Sequence, residues 1–365
     1  MITISLCMIV KNEEEVLARC LDSVRGIADE IIICDTGSTD QTKEIAARYT
    51  DLVYEEPWQE DFAAARNAAF LRASKEYWFW LDADDVLEEE ERQKLLALKK
   101  RLSPGEVGTV MMRYATAFDD NGQASFVFER ERLIRNVGRP VWQGRVHEVI
   151  VPFAPILHSD IMISHRKVKI SEPGRNLRIY EKMEKQGAVF SPRELFYYAR
   201  ELMENGNLEK AVDVFYRFLK DETAFLPNRQ EACCFLAKCL QALSRPVQAR
   251  EVLWQGLALG TPTGELCCAL AESYMKKEQW KEAAFWYRAA LQAEPDLFTG
   301  GFIRQECYGY LPAIELCVCY DRLGDWQRAA QWNEKAAVYQ PSSPAVAYNR
   351  NYFAAKQKAD GSKKE

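Results

Sequence analysis

The hydrophobic pattern of this chain changes period part-way along, and that change limits what it can fold into. Up to about Ser164, short β-branched runs alternate with helical patterns; from about Glu194 the strand signal vanishes. Ile4 to Val10 is a continuous apolar run, as in a strand buried on both faces. Val16, Leu17, Cys20, Leu21 and Val24 then place one apolar face on a helix over 13–24. Glu30 to Cys34 reads as a second buried strand, and Thr39 or Asp40 caps a helix over 41–49. Leu52–Tyr54 is a third strand, 61–73 a helix, and Tyr77–Leu81 a fourth strand. Strands and helices in this order imply parallel pairing with right-handed crossovers, an α/β domain of nucleotide-binding type.

The second half repeats itself. Ala199, Ala237, Ala271 and Cys317 are each followed twelve positions later by alanine: Ala211, Ala249, Ala283 and Ala329. A large side chain sits three residues after each small one, at Leu202, Leu240, Tyr274 and Tyr320. The units are spaced 38, 34 and 46 residues apart, with turn residues at Asn205–Asn207, Ser244–Arg245 and Gly324–Asp325. Small residues at fixed places let paired helices approach closely, and stacked units bury a shared core. The pattern resembles four tetratricopeptide repeats, with a closing helix over 345–355 and a charged, frayed end from Lys356.

Composition sets outer bounds. The chain has 365 residues, 48% hydrophobic and 28% charged, enough for two ordinary globular cores at about 150 residues each. A formal charge of −6 does not predict a nucleic-acid partner, which needs a basic face. The eleven cysteines lack the spaced pairs and histidines of a zinc site and read as buried free thiols in a reducing compartment. The apolar start meets Lys11–Glu15 without a basic leader, and no stretch approaches 18 uncharged apolar residues. A soluble, cytoplasmic protein without an integral membrane segment is expected.

Chemistry-bearing residues cluster after the strands. Ligands of parallel sheets bind beyond the carboxyl ends of the strands. Lys11-Asn12-Glu13 follows the first strand, Asp35-Thr36-Gly37-Ser38 the second, and Asp82-Ala83-Asp84-Asp85 the fourth. A strand-end carboxylate such as Asp35 is suited to a base imide or a ribose hydroxyl, and Gly37 lets the backbone turn close to a ligand. Asp82 and Asp84 can divide their work between ribose and a hard cation, Mg²⁺ or Mn²⁺, which offsets charge on a departing diphosphate. Solvated carboxylates capping the next helix are the bland alternative.

Cys7–Glu13 (CMIVKNE), Cys34–Asp40 (CDTGSTD), Phe62–Asn67 (FAAARN) and Trp80–Asp85 (WLDADD) resemble the family 2 glycosyltransferases of GT-A fold. More narrowly, they resemble a branch with C-terminal tetratricopeptide repeats that includes peptide S-glycosyltransferases of the glycocin type. The resemblance implies an α/β GT-A catalytic domain over 1–170, a linker helix over 171–192, an all-α repeat solenoid over 193–356 and a charged tail over 357–365. It implies a nucleoside-diphosphate sugar donor, UDP-linked, and a divalent cation. Val10 and Asn12 would line the base, Asp35 would contact the nucleoside, and Arg66 and Asn67 would lie against the nucleotide. Asp82 would touch the ribose and Asp84 would bind the metal–diphosphate. His165, which ends an apolar run, resembles the histidine that completes the metal shell; a structural strand end is the alternative.

An inverting transfer needs a base on the acceptor side. Glu148, in the pair His147-Glu148 after Trp142-Gln-Gly-Arg145, is the candidate, with His147 as orienter or acceptor contact and Asp85 as the rival base. His158 receives no role. Asp119–Gly122 reads as a hairpin turn, with Asp119 facing the acceptor cleft as the alternative. Trp142 fits a sugar-stacking or a core role. The expected acceptor is a peptide or protein Ser, Thr or Cys docked partly on the repeats. The competing readings are a silent nucleotide-binding scaffold and transfer to a cell-surface polymer or lipid. Trp326, Trp332 and Tyr339 fit either core packing or a homodimer contact.

Overall fold

A computed structural model describes residues 1–118, 122, 124–168, 172–295 and 303–361. The chain divides into two compact units, Met1–Ala188 and Val189–Glu365.

The first unit runs β1 (Ile4–Val10), α1 (Leu17–Ser23), β2 (Glu30–Asp35), α2 (Thr42–Ala46), β3 (Val53–Glu55), α3 (Phe62–Arg72), β4 (Tyr77–Trp80) and β5 (Asp85–Val86). It continues with α4 (Glu89–Arg101), β6 (Thr109–Phe118), β7 (Ala124–Arg135), β8 (Trp142–Gln143), β9 (Val149–Ile150), β10 (Ile156–His165) and α5 (Arg175–Lys185). Eight strands form one sheet in the order β3-β2-β1-β4-β7-β6-β10-β5, while β8 and β9 form a separate antiparallel pair. The first four strands of the order are parallel, as the alternating pattern predicts, and β10 is parallel to β6. The antiparallel β7 lies between β4 and β6. Apolar runs explain the burial: in β1 and β4 every residue but Ile9 is buried, so helices cover both faces.

Helices are shorter than the periodicity suggests, because the residues before α1 and α2 are used to join loops. The Asn12 amide donates to Ser38 Oγ at 2.8 Å, its side chain accepts from the Thr39 amide at 2.7 Å, and the Glu13 amide donates to Thr42 Oγ1 at 2.7 Å. Asp40 accepts from the Thr42 amide at 3.0 Å, but α2 begins at Thr42 with Gln41 as its N-cap and no side-chain cap bond, so neither Thr39 nor Asp40 is the cap. The expected turn at 119–122 joins two antiparallel strands, β6 and β7, but residues 119–121 lie outside the described residues. The expected joining helix is α5, which belongs to the first unit: Tyr180 is fully buried, with its hydroxyl 3.5 Å from the Val146 carbonyl.

The second unit consists of four helix pairs and a closing helix. These are α6 (Pro192–Glu204) with α7 (Leu208–Leu219), α8 (Leu226–Ala242) with α9 (Pro246–Ala258), α10 (Gly264–Met275) with α11 (Trp280–Gln292), α12 (Tyr310–Arg322) with α13 (Trp326–Tyr339), then α14 (Pro344–Gly361). All eight repeat-marking small residues are at most 2% exposed. Each pair turns through one left-handed residue: Gly206, Ser244, Glu278 and Gly324. The next amide closes back on the large side-chain position already noted, Asn207 to Leu202, Arg245 to Leu240, Gln279 to Tyr274 and Asp325 to Tyr320, at 2.7–3.0 Å. This is the six-to-one closure that ends helices on a left-handed residue. The last helix extends beyond the expected 355. Lys356, expected in the frayed tail, pairs with Asp321 at 2.7 Å and lies over the Tyr352 ring. Trp326 and Trp332 pack against the core, whereas Tyr339 is 54% exposed.

Two outcomes follow for the repeat unit. Glu278→Gly relieves a side chain held at φ 57° and is expected to stabilise by about 1 kcal/mol, read by urea unfolding. Burial pushes the Glu231 carboxyl up to about 7 from an ordinary 4.5, with Arg200 and Arg304 opposing and Glu265 reinforcing. The folded state therefore holds an extra proton between those two values, and stability falls as pH rises through that window. Glu231→Gln should be more stable than the parent at pH 8, and the gap should close towards pH 4.

Candidate active site

The parallel strands bring their carboxyl ends to one edge. Val10 pairs with Asp35 across β1 and β2, and Cys7 with Trp80 across β1 and β4. His165 joins the same edge because β10 runs parallel to β6 and pairs with Asp85 of β5.

Asp35 is 2% exposed, and its Oδ1 accepts from the amides of Gly37 and Ser38 at 3.0 and 2.8 Å. Its buried Oδ2 has no partner. A buried acceptor left open is unusual, and an N–H or O–H donor is the chemistry that would satisfy it. Val10 differs from the expectation. Its side chain is in the core, 3% exposed, and its carbonyl is taken by the Thr36 amide and hydroxyl. Asn12 ties the loops after β1 and β2 together, at φ 56°, a conformation asparagine tolerates.

Arg66 is central to the site. From α3 its Nη2 donates to Asp82 Oδ1 and its Nε to Glu148 Oε1, both at 2.7 Å. Its guanidinium lies 4.9 Å from the ring centroids of both Trp80 and Trp142. Burial alone would lower the Arg66 pKa, but Asp82 and Glu148 outweigh it and raise it. Burial pushes the Asp82 carboxyl up, yet Arg66 and then Arg132 hold it well below the ordinary carboxylate range.

Asn67 is placed differently from the expectation that it touches nucleotide. Its Oδ1 accepts from the amides of Val141 and Trp142, and its Nδ2 donates to the Trp142 carbonyl, all at 3.0 Å. Every polar atom is thus occupied with backbone, and Asn67 fixes the strand that leads to Glu148. Trp142 is 4% exposed and stacks edge-on against Trp80 and Phe70, a core role rather than a sugar platform. His147 precedes Glu148 at φ 53°, in the turn between β8 and β9.

Asp85, the rival base, is closed off. It is fully buried: Oδ2 accepts from Arg132 Nη1 and the Asp82 amide at 3.0 Å, and Oδ1 from the Tyr114 hydroxyl at 2.9 Å. An acceptor proton has no route to it in this arrangement. His165 Nδ1 lies 3.1 Å from Asp85 Oδ1 and 3.2 Å from Asp84 Oδ1. Burial acts to lower the His165 pKa, but hydrogen bonds to Asp84 and Asp85 push it up to about 10. Asp82, Asp85 and His165 offer ligand atoms within 4.8 Å of one another. Because Asp85 is already saturated, Asp84, with a 20% exposed side chain 3.2 Å from His165, is the better placed carboxylate for a cation. Carboxylates with one imidazole make a donor set that could hold a divalent cation.

Sequence reasoning missed Arg132 and Tyr114. The available signal was the run Glu129-Arg-Glu-Arg132 inside an otherwise apolar strand, where an inward charge must have a partner.

Residues 5–162 match the model of Glycosyl transferase family 2. This stretch is a family 2 glycosyltransferase domain. Residues 264–297, spanning α10 and α11, match the tetratricopeptide repeat. The SPbeta prophage-derived glycosyltransferase SunS of Bacillus subtilis (strain 168) is 27% identical over 256 residues, covering 67% of this chain and 59% of SunS. The chain therefore spans about three fifths of the length of that relative. The lipopolysaccharide core biosynthesis glycosyltransferase LpsC of Rhizobium meliloti (strain 1021) is 28% identical over 234 residues, covering 56% of this chain and 82% of LpsC. Among solved structures, MamA of Desulfovibrio magneticus RS-1 is similar at 19% identity and a TM-score of 0.38, covering 48% of this chain and 89% of that one. The sheet-and-helix unit followed by helix pairs is the architecture expected from the sequence, and all eleven cysteines of the chain are free and buried. Among the described residues no helix is long and apolar enough to cross a membrane.

In the family 2 domain, removing Arg66 leaves two carboxylates facing each other. Arg66→Met is expected to destabilise by roughly 2–4 kcal/mol, less than a fully buried pair because Asp82 is 32% exposed. Arg66→Lys should lose less; equal urea midpoints for the two variants would contradict the bridging role.

Proposed function

We propose that the chain is a divalent-cation-dependent, inverting glycosyltransferase that moves a sugar from a UDP-linked donor to a peptide or protein Ser, Thr or Cys. The family 2 domain supports sugar transfer. The observation that carries the finer reading is the acidic edge where Asp82, Asp84 and His165 meet, together with the open Oδ2 of Asp35, on β2, two strands from the β4 that leads to Asp82.

Asp84 and His165, with Asp82 beside them, would hold Mg²⁺ or Mn²⁺. Such a cation, when bound, supplies positive charge against the departing diphosphate. Asp35 accepts from the base imide or a ribose hydroxyl, and Asp82 faces the ribose. Arg66 holds Oε1 of Glu148, which leaves Oε2 to take the proton of the acceptor. As that proton leaves, the acceptor oxygen or sulfur bonds to the anomeric carbon and the diphosphate departs from the opposite face, which inverts the centre. His147 adjoins the base as an orienter or acceptor contact.

Stacked helix pairs offer an extended surface, which supports a peptide or protein acceptor. Eleven free, buried thiols support a reducing, cytoplasmic setting. Exposed Tyr339 and Tyr348 support self-association through the last repeat and the closing helix. The likeness to LpsC favours a second reading, in which the acceptor is a lipopolysaccharide core sugar.

The test is UDP release and product mass from a panel of UDP-sugars with Mn²⁺, offered both peptides and lipopolysaccharide core oligosaccharide. Asp84→Asn should abolish metal-dependent release. Glu148→Gln should lose roughly 10²–10⁴-fold in transfer while still binding UDP. Full transfer by Glu148→Gln removes it as the base, and glycosylated core sugar with unmodified peptide selects the second reading.

A further inference from the structure

We propose that Arg132 is the positioning residue of the Asp82–Asp84 turn: acting through Asp85, it sets the carboxylates that meet the cation and diphosphate. This rests on the reading of that turn given above. Arg132 is fully buried, its side chain 0% exposed, and it lies in β7, one residue before Leu133, which pairs with Phe79 of β4. An arginine inside a sheet is costly unless its charge is matched.

Its contacts span the turn. Nη1 donates to the Trp80 carbonyl at 3.1 Å and to Asp85 Oδ2 at 3.0 Å, the residues that flank 81–84 on either side. The same Oδ2 accepts from the Asp82 amide at 3.0 Å, and Asp85 Oδ1 meets the Tyr114 hydroxyl and His165 Nδ1 at 2.9 and 3.1 Å. One carboxylate thus joins the turn to β6 and β10, and Arg132 fixes that carboxylate. The guanidinium lies 3.7 Å from the Trp80 ring centroid and 4.2 Å from that of Tyr114.

Two features argue for a role beyond filling space. Nε and Nη2 of Arg132 are buried with no partner, so the residue is not placed to satisfy its own donors. The planar fork, stacked between two rings while one nitrogen serves two acceptors, is something an ammonium cannot reproduce. A lysine here would keep the charge and lose the geometry.

The experiment measures Mn²⁺ binding, by the electron spin resonance signal of the free ion, and Mn²⁺–UDP binding by calorimetry. The full chain is compared with Arg132→Lys, Tyr114→Phe and the control Arg135→Lys, at a temperature where circular dichroism shows each folded. Arg135 lies on the same strand but bonds the Gly105 carbonyl at 3.3 Å, away from the turn. Arg132→Lys should weaken Mn²⁺–UDP at least tenfold and Tyr114→Phe several-fold, with Arg135→Lys unchanged. A merely structural Arg132 would lower the melting temperature and leave the affinity of the folded protein unaltered, which overturns the proposal. Should lysine at 132 prevent folding, Tyr114→Phe decides: parental affinity there overturns it as well. A parent chain that binds no Mn²⁺–UDP overturns the reading of the turn itself, and this inference with it.

Discussion

Carboxylates gathered at one sheet edge repel one another, and the first unit is organised around making that arrangement tolerable. At an effective dielectric near 20, two like charges 4 Å apart cost about 4 kcal/mol, a large part of the stability of an ordinary domain. Asp82, Asp85 and Glu148 are balanced by Arg66 and Arg132, both almost completely buried and both over the Trp80 ring, and Asp84 faces His165. Arg130 also lies over that indole, 5.0 Å from its centroid, and is paired with Glu131. Arg66 joins Asp82 to Glu148, and Arg132 holds Asp85. Such a lattice is rigid because removing any member leaves a buried charge without its partner.

The same division between anchored and available groups distinguishes the three aspartates of the turn. Asp85 has no exposed surface and its oxygens are occupied, so its function is internal. Asp82 and Asp84 keep side chains 32% and 20% exposed, and these can meet a ligand. Adjacent carboxylates on one short turn thus take different tasks because burial, not residue type, separates them.

Much of this was legible in the sequence. The parallel strands β1 to β4 follow from apolar runs punctuated by helices, and the repeats follow from small residues twelve apart. Three of the left-handed turns of the repeats, Gly206, Ser244 and Gly324, fall at the turn residues named from the sequence, whereas the one at Glu278 carries no turn-type residue and was not anticipated. What the sequence could not show is which polar atoms are already spent. Asn67 and Val10 stand in the right motifs, but backbone partners at Val141–Trp142 and at Thr36 claim them. Those partners lie 74–75 and 26 residues away, and no local pattern announces a contact of that kind. The charged run 129–132 marked Arg132 as a buried charge in need of a partner, but not which one: its strand is antiparallel and enters the sheet between β4 and β6, an order that periodicity does not encode.

The placement of Glu148 depends finally on α3. Asp61 caps that helix by accepting from the Ala64 amide at 2.8 Å. Ala63 and Ala65, each 6% exposed, are small enough for the helix to lie close to its neighbours. Consecutive residues then act on the two parts of the site. Arg66 grips the side chains of Asp82 and Glu148, while Asn67 grips the backbone of β8, six residues before Glu148. The side chain of the candidate base and the strand that leads to it are therefore both held from α3, which also holds the first aspartate of the turn. A shift of α3 would move donor-side and acceptor-side carboxylates together, so their separation is a property of the helix rather than of the loops that carry them.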